Sequence, residues 1–395
     1  MKVPIKISKT MVSESSWNEY YENRVVRVPL WCRDKYGVNL GDFHTFREKD
    51  GSIMILQIAE ALLEDLKENS LSLYVTSAVF ERLCIYDNKA EVERVSNITL
   101  GCDPEFFLID RATGNTVMAN RFVPKQGMVG HDGRLMEIRP YPSTDENVLT
   151  NNINILLKRC RAIIDSTAEG KNIVMVGASC WKGLTAGFHL HYGLPGALLG
   201  RMNETMRLMT TVADYYVGIP SIIPEGNEDC YRRVVPGLAY GKPGGYRIDK
   251  RTFEFRLPGG SCLRHPVLTR GLIALGAIVV EDFVSRLSAG TDRFISLRKV
   301  STFNTIEELY PNIANAKDIH STICNIDIAP ARNALKSIIT DVRNMIGYKD
   351  RASSVEPFFD CITNETKFSY NIEDNWGGFN NEEQQKQMVF LQTHI

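Results

Sequence analysis

The chain has 395 residues, 44% hydrophobic and 24% charged, and 46 Lys and Arg against 47 Asp and Glu leave a formal charge of −1. That length predicts two or three domains with a core large enough to need neither disulfide nor structural metal. The neutral balance excludes a global electrostatic pull toward nucleic acid or an anionic membrane.

Nine cysteines are scattered and never spaced Cys-x-x-Cys, which argues against a disulfide framework or zinc ribbon and fits a reducing cytoplasm. The N-terminal segment has no apolar run of signal-peptide length.

Residues 1–95 read as an N-terminal α/β region of unknown role, with strand-like pieces at RVVRVPLW and SLSLYVTSAVF and an amphipathic helix over Ile55–Ser70. Residues 96–290 are rich in glycine and in alternating strands. They carry helices over Thr144–Ser166, opened by a Thr-Asp-Glu cluster suited to a cap, and over Leu198–Val217. The apolar run Gly271–Val280 is broken by glycines and followed by Glu281 and Asp282, so it reads as a buried helix and not a membrane span. Residues 291–395 read as mainly helical and end in a polar, partly loose stretch, NIEDNWGGFNNEEQQKQMVFLQTHI.

Four short segments of the middle region share one design. Side chains i and i+2 of a strand lie on one face. In LGCDPEFFLID this pairs Asp103 with Glu105; in LMEIRPY, Glu137 with Arg139; in GFHLHYG, His189 with His191; in RTFEFRLPGG, Glu254 with Arg256. Phe188, Leu190 and Tyr192, and likewise Phe253, Phe255 and Leu257, fall on the opposite face. One such strand alone would read as a surface ion pair. Four of them predict a single sheet with a packed back and a charged front, and the alternation favours antiparallel or mixed pairing.

Asp103, Glu105, Glu137 and Glu254 would crowd that front. Close carboxylates repel unless a cation sits between them, and oxygen-rich ligation with an occasional His suits Mg²⁺ or Mn²⁺. Arg139, Arg256 and the basic pair Arg232–Arg233 add anion-binding forks. Carboxylates, divalent cations and arginines are together the parts of phosphoryl transfer from a nucleotide.

These segments, in this order, resemble the glutamine synthetase and glutamate–cysteine ligase-like superfamily, over roughly residues 98–285. The pattern DPEFF, HDGRLMEIRP, HLHYG and FEFRLPGG is most similar to the divergent carboxylate–amine ligases of phage genomes. The resemblance implies an α+β fold: a curved, mainly antiparallel catalytic sheet with helices on its back, plus N- and C-terminal additions. It implies ATP and Mg²⁺ (or Mn²⁺) as cofactors, with Glu105 and Glu137 on one metal and Asp103, His189 and Glu254 on the other. Arg233, Arg247 and Arg256 would meet phosphates or the substrate carboxylate, with Glu254, Arg233 and Arg256 as catalytic residues. His191 and Arg139 would lie near the nucleotide.

The partners implied are a small-molecule or peptide carboxylate and an amine, with no membrane, and nucleic acid only as a modified substrate. The implied reaction forms an amide or isopeptide bond through an acyl phosphate. The family's metal-binding Glu eight residues before the second Glu is missing, and the sequence leaves open whether Asp132 takes its place. Three other chemistries fit the same residues: a guanidino kinase, a metal-dependent hydrolase built on Asp103, Glu105 and His189, and a non-catalytic nucleotide-binding protein.

Overall fold

The computed structural model describes residues 2–9, 25–29, 40–41, 43–49, 53–61, 72–83, 85–86, 89–94, 98–194, 202–226, 228–237, 240–249, 252–289, 310–313 and 315–377. The chain divides into two units, Met1–Thr99 with Leu194–Gly200, and Leu100–Gly193 with Arg201–Ile395.

The first unit holds strands β1 (Lys2–Lys9), β2 (Val25–Val28), β3 (Phe43–Arg47), β4 (Ile53–Glu60), β5 (Leu73–Val75), β6 (Ile85–Tyr86) and β7 (Lys89–Arg94). They run in the order β1-β5-β2-β4-β3-β7-β6, and β1 also pairs with β7, so six of the strands form a closed ring of pairings. Val26, Val28, Phe46, Leu56, Ile58, Leu73 and Val75 fill its core.

The helix expected over Ile55–Ser70 is not what forms: Ile55–Glu60 belongs to β4. The segment ILQIAE is apolar at helical and at strand spacing alike. Backbone pairing with β2 on one side and β3 on the other decides for the strand, which buries Leu56 and Ile58 at a period of two. Residues 62–70 of that expectation lie outside the described residues. The strand expected over SLSLYVTSAVF ends at Val75, because Thr76 caps a short helix, α1 (Ser77–Arg82), by accepting the Val79 N–H at 3.2 Å.

The second unit is built on β8 (Thr99–Asp110), β9 (Thr116–Val117), β10 (Val129–Asp132), β11 (Leu135–Ile138), β12 (Ile173–Val176), β15 (Phe188–Gly193), β16 (Tyr246–Asp249) and β17 (Thr252–Phe255), with a separate hairpin of β13 (Cys180–Trp181) and β14 (Leu184–Thr185). The main path is β10-β11-β8-β15-β17-β16, with β9 and β12 added to the far half of β8. The pairings β10–β11, β11–β8, β15–β17 and β17–β16 are antiparallel, as the alternation predicts.

The back of this sheet is dry: Phe106, Met136, Ile138, Phe188, Phe253 and Phe255 are fully buried. The front is not charged throughout. At one end Phe107 and Ile109 of β8 pack with Leu135, Val176, Ala178 and Ala186, so the charged zone is bounded by an apolar cluster.

Helices cover the back. Asp145 opens α2 (Glu146–Asp165) by accepting the Asn147 and Val148 N–H groups. α3 (Met202–Ala213) runs into a π-turn at Asp214–Gly218 and then α4 (Ile219–Ile222). The part of the expected Leu198–Val217 helix before Met202 lies outside the described residues. After α5 (Tyr231–Val234) comes the long apolar α6 (Pro266–Ala289), followed by α7 (Ala316–Ile323), α8 (Ala329–Val342), α9 (Tyr348–Thr363) and α10 (Ile372–Asn375).

The glycines that interrupt the apolar run of α6 are contact points. A Cβ on Gly276 would lie 1.8 Å from the Tyr192 hydroxyl of β15, and one on Gly271 would lie 2.1 Å from Phe358 of α9. α6 thus touches the sheet on one side and α9 on the other, and the C-terminal helices join the unit of the sheet rather than a third one. Of the terminal polar stretch, Asn371 caps α10 by accepting the Glu373 N–H, and residues 378–395 lie outside the described residues. Among the described residues no helix is long and apolar enough to cross a membrane.

Candidate active site

The register of the sheet turns the four alternating strands into two facing groups of side chains. Glu137 of β11 lies directly opposite Glu105 of β8. Glu254 of β17 lies opposite His191 of β15 on one side and Arg247 of β16 on the other. Between these groups, Asp103 Oδ1 stands 3.3 Å from His189 Nδ1 and 3.2 Å from His191 Nε2, and His189 Nδ1 is 3.6 Å from Glu254 Oε1.

Burial and charge shape these groups. Glu254 is fully buried; Glu105 and Glu137 are 9% and 7% exposed. Burial pushes the Glu137 carboxyl up to about 7; Arg139 opposes the rise, while Asp103, Glu105 and Asp132 add to it. Burial also raises Glu105, although His189 and the Gly187 N–H, which donates to Glu105 Oε2 at 2.6 Å, pull the other way. Burial would raise Asp103 as well, but the two imidazoles against it hold its carboxyl well below the usual carboxylate range. For His191, burial favours the neutral ring, yet the contact with Asp103 outweighs it and raises its pKa.

The arginines sort differently from expectation. Arg247 Nε reaches Glu254 at 2.5 Å and Arg256 Nε reaches it at 3.1 Å. Arg139 pairs with Glu137 and donates to the Gly127 carbonyl at 3.0 Å. Its guanidinium lies across Gly130 of β10, where a Cβ would come within 2.6 Å of it.

Arg233, expected on a phosphate or carboxylate, is not brought to the site. It is buried against Glu225 at 2.8 Å and donates to the Ile323 and Asn325 carbonyls. Arg232 takes the place beside the site, donating to the Leu257 and Arg256 carbonyls at 2.5 and 3.2 Å. Consecutive residues of a helix point about 100° apart, so α5 can turn only one of the two toward the sheet.

A pocket of about 110 Å³ opens on this face. Glu105, Asp132 and His189 bring acid and imidazole to its lining, and Arg232 and Arg256 bring positive charge. Leu135, Thr185, Gly187 and Tyr240 complete it. Tyr240 and Thr185 escaped the sequence reading, since Tyr240 sits in a loop and the strand that holds Thr185, β14, is only two residues long, too short for a period to mark a face. A Y-G-K-P-G-G loop beside a basic pair is the one signal that could have drawn attention to Tyr240.

The donor set suits a divalent cation. One ligand atom from each of Asp103, His191 and Glu254 lie together within 4.8 Å of one another, and His189 Nδ1 lies 3.3 and 3.6 Å from the same two acids. Two buried carboxylates facing each other at Glu105 and Glu137 make a second place where positive charge relieves repulsion.

An antiparallel sheet with this front, backed by helices, is that of an ATP-dependent carbon–nitrogen ligase acting on carboxylates and amines. Residues 100–299, just over half of the chain, match the family model described as "Phage phiEco32-like COOH.NH2 ligase-type 2", and the chain belongs to that family.

Solved structures with some likeness include apo GmaS without ligand, 13% identical, with 74% of this chain and 72% of that one covered at a TM-score of 0.40. The complex between prokaryotic ubiquitin-like protein Pup and its ligase PafA is 10% identical, with coverage of 73% and 71% and a TM-score of 0.41. Plasmodium falciparum glutamine synthetase is 11% identical, with coverage of 96% and 99% and a TM-score of 0.37. A search among curated proteins finds no match.

Proposed function

We propose that the chain uses MgATP to activate a carboxylate as an acyl phosphate and then passes the acyl group to an amine, forming an amide and releasing ADP and phosphate. The observation that carries this reading is the convergence of Asp103, His191 and Glu254 beside the opposed pair Glu105 and Glu137. Glu105 and Glu137 would hold one divalent ion. Asp103 and Glu254, with an imidazole from His191 or His189, would hold the other. Bound there, the ions would neutralise charge on the β- and γ-phosphates of ATP.

The protein's own groups account for the rest. A carboxylate is a poor acyl donor because oxide is a poor leaving group. Transfer of the γ-phosphoryl group breaks the bond to ADP, makes a bond to a carboxylate oxygen and leaves phosphate as the group to be expelled. Arg256 and Arg247 stand beside the buried Glu254, where they can stabilise charge spread over the transferring oxygens. The neutral amine nitrogen then bonds to the carbonyl carbon, giving up a proton to solvent, as the carbon–oxygen bond to phosphate breaks. The apolar cluster of Phe107, Leu135 and Ala186 at one end of the charged front helps to keep water from the acyl phosphate.

No cysteine is needed, and the described ones are free thiols, which suits a reducing cytoplasm as the place of action. The test is product stoichiometry. With ATP, Mg²⁺, the acid and the amine, ADP and phosphate should appear one for one with the amide. AMP and pyrophosphate in their place would mean adenylation and sink the mechanism.

A further inference from the structure

Tyr240 lies outside every regular element, yet it is packed against two residues of the site. Its ring carries the Arg256 guanidinium at 4.6 Å from the ring centroid. It also lies nearly parallel to the His189 imidazole, at 6.4 Å and 23°. The side chain is still 44% exposed at the mouth of the pocket.

The loop that presents it is held at several points. Gly241 has φ +73°, a conformation open to glycine, and a Cβ there would come within 2.6 Å of Arg232. The Gly244 N–H donates to buried Asp214 at 2.7 Å. The Gly245 carbonyl accepts the Arg256 N–H at 3.1 Å. One loop therefore touches both the backbone and the side chain of Arg256.

We infer that Tyr240 is a positioning residue, which sets the direction of the Arg256 guanidinium toward the γ-phosphate of ATP. The inference rests on the nucleotide reading above. An arginine side chain has many rotamers, and Glu254 competes for this one at 3.1 Å. A ring against the flat face of the guanidinium removes that freedom and leaves its N–H rim to meet phosphate oxygens in its plane. Without the ring, the ion-pair partner left to Arg256 among the described residues is the Glu254 carboxylate, and the fork turns inward.

The experiment is calorimetric titration of the full chain with the magnesium complexes of ADP and of a non-hydrolysable ATP analogue. The ratio of the two affinities isolates the γ-phosphate contact. Tyr240→Leu should lower that ratio about tenfold while ADP binding holds, and Tyr240→Phe, which keeps the ring, should preserve it. Tyr240→Gln gives the same reading should the leucine variant fail to fold. An unchanged ratio in the ring-less variants overturns the inference, as does an equal loss for both nucleotides, which would place the ring on base or ribose. A wild type that binds neither nucleotide overturns the ATP reading itself, and this inference with it.

Discussion

Glu105 and Glu137 face each other across neighbouring antiparallel strands, both more than nine-tenths buried. Like charges in directly opposed positions destabilise a sheet, and burial makes the repulsion harder to screen. Burial above all, with Asp103 and Glu105 adding to it, makes the Glu137 carboxyl hold its proton up to a pH of about 7, so ionising it costs the ion-free fold stability as pH rises from 4.5 toward 7.

Glu137→Gln removes that repulsion while keeping an acceptor for Arg139. At pH 8 without divalent ions, it should raise the melting temperature by about 2–4 °C, from roughly 1 kcal/mol relieved. Wild type should gain further stability from millimolar Mg²⁺, more at pH 8 than at pH 6, because below about 7 the ion must displace a proton. The variant should gain little from Mg²⁺ and should lose ligase turnover by at least about a hundredfold. A variant as responsive to Mg²⁺ as wild type would remove Glu137 from the metal site.

Asp214 makes a second pH-dependent prediction. It is buried in the π-turn, and burial raises its carboxyl to about 8 despite the Gly244 N–H. The folded chain thus keeps a proton that the unfolded chain releases near 3.8, so stability falls as pH climbs from 3.8 to about 8 and levels off above. Asp214→Asn should flatten that slope and add on the order of 2 kcal/mol at pH 8. Urea melts across pH 5–9 check it, and parallel curves for the two proteins would refute it.

Arg233 and Glu225 form a buried pair away from the pocket. Arg233→Met alone leaves a buried carboxylate unpaired and should cost about 3–5 kcal/mol. Arg233→Met combined with Glu225→Leu should recover most of that stability, and turnover should return to within several-fold of wild type. If Arg233 met phosphate or substrate, the double variant would fold and stay inactive.

Gly276 meets the Tyr192 hydroxyl with no room for a methyl group. Gly276→Ala should destabilise by about 1–3 kcal/mol through overpacking, despite alanine's better helix propensity. Adding Tyr192→Phe should return part of the loss. Chemical denaturation of wild type and the two variants gives the comparison.

Much of the site was legible because a strand has a period of two. That rule alone placed Asp103 with Glu105, Glu137 with Arg139, His189 with His191, and Glu254 with Arg256, and placed Phe188, Phe253 and Phe255 behind them. It failed at Ile55–Glu60, where the same residues satisfy two periods and strand partners made the choice. It was silent on Tyr240, since a loop has no period.

The sequence by itself determined which side chains share a face, and with it the ligase family, since both depend only on residue type and spacing along the chain. Tertiary structure alone decided that Glu137 opposes Glu105, that His191 and Arg247 flank Glu254, and that Arg232 rather than Arg233 reaches the pocket. Those relationships are set by strand register and helix rotation, which come from packing between segments far apart in the chain, and no local pattern encodes them.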